Sequence, residues 1–395
     1  MKTCSICGRE HIDTADLCNE CGKELDAALD SKSSKPSEEL NSKLRESNAH
    51  IPNMLSAGFF EDEEPLDFSV FDMGFSFEEG FSRPDWKLIR QSIRNNFQEG
   101  QWPQAWREAG IKWLAQLRED LGGSYRQYES RNFLLLCAAS ATKSEALLRL
   151  AEDTIDSLFA IVGPINQGKP VYGKHVILGF EEDDDYYSYI SFYHFDGDHS
   201  LSAGCFISRG YSHIAFTFRG TQFAASVIPH ELTHNYLCYL RLPTWLNEGL
   251  SCRVEAELNR RLGTSGVMPR NPVLTAELAD EHHAHWNEKN IQEFWAGTSF
   301  YGPDEGNKLS YSLGEILVEL LCENWGDFLD FVKNADDRDA GQDAALKCLD
   351  RSLGEVAGTF LGPGDWRPKR KTISELWEKR RKERAPQAGS QQRPH

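Results

Sequence analysis

Residues Ser226–Leu237 read SVIPHELTHNYL, and the meaning of the surrounding chain turns on them. His230 and His234 stand four residues apart, which on a helix puts both imidazoles on one face, a single turn apart, able to grip one metal ion. Glu231 follows the first histidine, so its carboxylate reaches water at that ion without being a ligand and serves as general base. A catalytic centre of this kind needs a third protein ligand and an open fourth position. The next residues, Tyr236–Leu240 (YLCYL), offer neither the glycine nor the third histidine of the metzincin pattern. A few residues on, Leu242–Ser251 reads LPTWLNEGLS, where Pro243 and Gly249 bracket a short connection into another helical segment and Glu248 is the candidate third ligand.

HELTH followed by PTWLNEGL resembles the gluzincin clan of zinc metallopeptidases, whose third ligand lies in a WLxEG context on a second helix. Over about residues 132–257 the expected order of elements is similar to that of the small peptidase MA-like families of bacteria. The resemblance implies an α+β, zincin-like catalytic domain with a mixed sheet, an active-site helix and a helical subdomain after it. It also implies one catalytic zinc on His230, His234 and Glu248, Glu231 as base, and a peptide or protein as substrate. Gluzincins commonly add a tyrosine or histidine at the oxyanion; here Tyr311 is the choice and Tyr301 its competitor. The block that anchors a substrate amino group in the aminopeptidase branch is missing, which favours an endopeptidase. Where thermolysin-like enzymes carry an aspartate beyond the ligand glutamate, this chain has Cys252, with Ser251 and Glu255 as other partners for the ligands.

Working outward, Asp85–Leu121 has the apolar spacing of one or two amphipathic helices, through Trp86, Ile89, Ile93 and then Trp106, Leu114 and Leu117. Asn132–Ala138 and His175–Phe180 read as strands, Ser144–Val162 as a helix, and Glu181–Asp185 as the opening of another. Ser202–Ile207 and Ser212–Phe218 read as a hairpin leading into the HELTH helix, with Gly210 near its turn. Its free edge suits an extended peptide held by strand addition. His282, His283 and His285 (EHHAHW) lack i, i+4 spacing and read as a polar surface segment.

At the N-terminus, Cys4, Cys7, Cys18 and Cys21 form two CxxC pairs ten residues apart, the pattern of a zinc ribbon holding one structural ion. Residues 26–51 are polar and read as a flexible linker. Residues 58–81 interleave acids with seven phenylalanines, and fit either an extended cover on the main domain or chain without fixed structure. The expected organisation is a ribbon over 1–25, an acidic and aromatic linker over 26–84, a metallopeptidase domain over 85–365 and a basic tail over 366–395. Within the domain, a helical lead-in covers 85–130, the catalytic core 131–260 and a helical part 261–365.

A net charge of −18 argues against general nucleic-acid binding, which rests on Lys and Arg neutralising phosphates. No apolar run approaches the ~18 residues of a membrane span, and the first residues lack a secretory apolar core, so a cytoplasmic, reducing setting is expected. A different class of function also fits these features: an inactive or regulated peptidase-fold module that binds a protein partner through its ribbon and basic tail.

Overall fold

The computed structural model describes residues 2–3, 10–11, 72–162, 173–193, 204–261, 276–302 and 305–384. The ribbon cysteines, the 26–51 linker and residues 58–71 lie outside the described residues; near the N-terminus Lys2–Thr3 pairs antiparallel with Glu10–His11. The chain divides into two compact units, Met1–Tyr193 with Ser202–Asn235, and His194–Leu201 with Tyr236–His395.

The first unit is built on a five-stranded mixed sheet. Strands β3 (Arg126–Glu129), β4 (Phe133–Cys137), β5 (His175–Phe180), β6 (Gly204–Ile207) and β7 (His213–Thr217) are ordered β3-β4-β5-β7-β6. The inner three are parallel and the two edges antiparallel. All five residues of β4 are buried, as an inner strand covered on both faces requires, whereas β3 alternates no apolar residues and stays at the edge. That polarity is why β3 does not stand out in the sequence.

Two helices precede the sheet, α1 (Trp86–Asn96) and α2 (Trp102–Leu121). The Asp85 side chain accepts from the Lys87 and Leu88 amides and starts α1, and Gly122, at φ 90°, ends α2. They pack with α4 (Asp183–Ser191) on one sheet face through Ile89, Trp113, Leu117, Tyr186 and Tyr189, against Leu134, Leu136, Val176 and Leu178. The parallel crossover from β4 to β5 carries α3 (Ala141–Val162). Short strands β1 (Ser76–Glu78) and β2 (Phe81–Arg83) form a hairpin from the end of the acidic and aromatic stretch. Its second strand is fully buried, so residues 81–83 belong to the core.

The second unit is helical: α6 (Thr244–Arg261), α7 (Ala276–His285), α8 (Ile291–Trp295), α9 (Glu305–Leu321), α10 (Trp325–Asn334), α11 (Gln342–Leu349), α12 (Leu353–Leu361) and α13 (Arg370–Arg384). Trp245, wholly buried, has ring contacts with Phe294, Trp295 and Phe331 and donates its Nε1 to the Ala340 carbonyl at 2.9 Å. The basic segment folds back as α13. Ile373 is buried, Trp377 donates to the Ala296 carbonyl, and Arg370 pairs with Asp339 and Asp343. Among the described residues no helix is long and apolar enough to cross a membrane.

Candidate metal centre

Strand β7 runs into helix α5 (Thr221–Leu237), and the helix is seated by apolar residues at positions 227, 228 and 232, all fully buried. A Cβ at Gly204 on β6 would collide with Val227 Cγ1, so the edge strand comes this close to the helix, one turn ahead of His230, only because residue 204 has no side chain. Pro229 inside the helix brings no N–H to its backbone ladder, and the Thr233 hydroxyl donates to the Pro229 carbonyl at 2.8 Å. At the far end of the turn, Asn235 Nδ2 donates to Nδ1 of His175, the first residue of β5, at 3.0 Å. Sheet and helix are thereby pinned on both sides of the two histidines.

His230 and Glu231 are almost fully buried, at 2 % and 4 % exposure, and His234 is half-buried. The two imidazole rings stand 4.8 Å apart, centroid to centroid, at 82° to each other. Glu248 lies in the second turn of α6, which begins at Thr244; Gly249 sits within that helix and does not end a connection, as its place in the sequence suggests. One ligand atom each from His230, His234 and Glu248 lie within 4.8 Å of one another. A tetrahedral ion with bonds of about 2.0–2.2 Å sets its donors roughly 3.3–3.6 Å apart. Two imidazoles and one carboxylate are the donors that divalent transition metals accept, and the cluster can hold such an ion. Among the described residues no other group of three His, Cys, Asp or Glu side chains converges in this way.

Near Glu231, burial first and the Glu231 charge second push the Cys205 thiol well above its ordinary range, so this cysteine of β6 is a protonated, inert neighbour. Nothing in the sequence linked Cys205 to the site. Burial also raises the Tyr236 hydroxyl to about 12. On α6, Cys252 and Glu255 are buried, and the Ser251 hydroxyl is used locally, donating to the Asn247 carbonyl at 2.9 Å.

Tyr311 lies in the second turn of α9, which starts at Glu305, and its half-buried ring stands 5.2 Å from that of Phe300. Tyr301, 42 % exposed, lies in a short 3-10 turn, with the Arg380 guanidinium 3.6 Å over its ring. In the histidine segment, His283 is exposed as the surface reading expects, and His282 departs from it. His282 to His285 lie on α7, and His282 is wholly buried, accepting from Trp286 Nε1 at 3.0 Å and therefore donating its other nitrogen to Ser312 Oγ, also at 3.0 Å.

No family model matches this sequence, no curated protein matches it, and no solved structure matches its fold.

Proposed function

We propose that this chain is a zinc-dependent peptidase of the gluzincin type, most simply an endopeptidase. The observation that carries the reading is the convergence of His230, His234 and Glu248 within 4.8 Å, beside the buried Glu231 on the same helical turn. When bound, zinc supplies Lewis acidity to a carbonyl and acidifies water to a pKa of about 7. His230 and His234 hold the ion from one helix and Glu248 from another, while Glu231, one residue on from a ligand, takes up the proton of the attacking water and returns it to the leaving amine. The buried setting of Glu231 keeps competing solvent from that proton. Strand β6 lies at the edge of the sheet and offers backbone groups to an extended peptide, and Tyr311 is the candidate donor to the oxyanion. Cys4, Cys7, Cys18 and Cys21 hold a second, structural zinc in this reading.

The test is Glu231→Gln in the full chain, assayed on a peptide library together with metal content. The expected result is unchanged metal content and loss of cleavage by at least about 100-fold, the scale of general-base catalysis. Cleavage at the wild-type rate in that variant refutes the assignment. A metal-loaded wild-type protein that cleaves nothing in the library instead favours a partner-binding module.

A further inference from the structure

Helices α6 and α9 meet backbone to backbone. A Cβ at Gly249 would stand 2.7 Å from the Gly314 carbonyl carbon and 2.9 Å from Val318 Cγ2, and would overlap the Gly314 carbonyl oxygen. From the other side, a Cβ at Gly314 would stand 2.9 Å from the Trp245 carbonyl oxygen. Real side chains essentially never come that close, so the crossing exists only with glycine at both positions. Glycine inside a helix costs about 1 kcal/mol relative to alanine, so two of them facing each other across one crossing call for a tertiary reason.

That reason lies in what the first turns of α6 carry. Glu248 is adjacent to Gly249, and the start of α6 is fixed at two further points. Trp245 Nε1 donates to the Ala340 carbonyl, and Gly297, at φ 73°, leaves room for Thr244 where any side chain would overlap it. On the partner helix, Tyr311 is one turn before Gly314, on the same side by i, i+3 spacing.

We propose that Gly249 and Gly314 are positioning residues for the metal centre: their close approach fixes α6 so that the Glu248 carboxylate meets the two histidines. This rests on the metal-centre reading above. Metal–ligand bonds tolerate deviations of about 0.2 Å, and a methyl group forced into the crossing moves the ligand turn by more than that.

The experiment titrates the full-length apoprotein with zinc in competition with a chromogenic chelator and reads the zinc equivalent bound beyond the one assigned to Cys4, Cys7, Cys18 and Cys21, for wild type, His230→Ala, Gly314→Ala, Gly249→Ala and the control Gly326→Ala. At Gly326 the nearest group to an added Cβ is Asn324 Oδ1, at an ordinary 3.5 Å. Circular dichroism checks that each variant is folded. The expected order is wild-type affinity for Gly326→Ala, a loss of about 10- to 100-fold for Gly314→Ala, as for other supports of metal ligands, and a larger loss for Gly249→Ala. In a Glu248→Ala background, Gly314→Ala should cause no further loss, which separates positioning from general destabilisation. Folded Gly314→Ala with wild-type affinity, beside a weakened His230→Ala, overturns the positioning role alone; equal affinity in wild type and His230→Ala overturns the metal centre itself. Should neither glycine variant fold, Trp245→Phe, which removes the Ala340 bond on the same turn, is titrated with the same two outcomes.

Discussion

Two imidazoles in the first unit, those of the buried His213 and the half-buried His175, have no carboxylate bonded to them, and acid should destabilise the protein through them. His213 Nδ1 donates to the Tyr211 carbonyl at 2.7 Å, so its bare Nε2 accepts from the Tyr189 hydroxyl at 2.9 Å. A second proton on Nε2 would displace that hydrogen bond; burial chiefly, with the Arg83 charge adding and the Tyr211 carbonyl opposing, lowers the His213 pKa to about 3. His175, accepting from Asn235, is lowered to about 4 by burial, against a smaller opposing pull from Glu152. Both folded values lie below the unfolded one, so the unfolded chain binds more protons and stability falls as pH falls. The contribution is complete above about pH 7.5, begins to be lost near 6.5, and keeps falling until the folded rings titrate, near 4 for His175 and near 3 for His213. At pH 5, about 1.5 units below the ordinary value at about 1.36 kcal/mol per unit, each ring costs roughly 2 kcal/mol and the pair roughly 4. That is a large part of a typical stability of about 5–15 kcal/mol. Urea unfolding at pH 7.5 and 5.0, followed by tryptophan fluorescence, measures the loss, and His175→Asn should shrink it by about 2 kcal/mol. Imidazole proton resonances of the native protein that titrate near 6.5 for these two residues would refute the reasoning.

The Arg83 guanidinium is 4 % exposed, lies 4.3–5.3 Å from the centroids of Phe81, Tyr189, Phe192 and Tyr193, and donates to the Tyr189 carbonyl at 3.1 Å. Because a buried charge recovers little net energy, Arg83→Met, which refills the space, should stay within about 1 kcal/mol of wild type, and Arg83→Ala should lose about 3; equal losses in urea titrations would show that the charge itself matters. In the same hairpin, Phe81 is 4 % and Phe77 70 % exposed. Phe81→Ala should cost about 3–5 kcal/mol and Phe77→Ser less than about 0.5, and a comparable shift in unfolding midpoint for both would mean that β1 is covered in solution.

Much of the fold could be read along the chain because it is written in local periodicity. The apolar run from Phe133 to Cys137, the 3.6-residue spacing through Ile89 and Ile93, and His230 with His234 one turn apart all describe neighbours on a single element. The same locality explains the misses. Strand β3 is polar because it is an edge, and its pairing with β4 shows only when the strands are side by side. His282 looks like a surface residue until Ser312, thirty positions later, accepts a hydrogen bond from its ring N–H.

For the candidate centre the division is sharper. Sequence alone determined two imidazoles and a carboxylate on one helical turn, since helix geometry needs no partner, and it pointed to Glu248 through a short block of residues. Tertiary structure decided that Glu248 meets the histidines within 4.8 Å. It also decided that Gly249 lies inside a helix, against Gly314 sixty-five positions away, in place of the turn its sequence suggests. A glycine states only that no side chain is present; which backbone occupies the vacated space depends on packing between distant segments, and no local pattern encodes it.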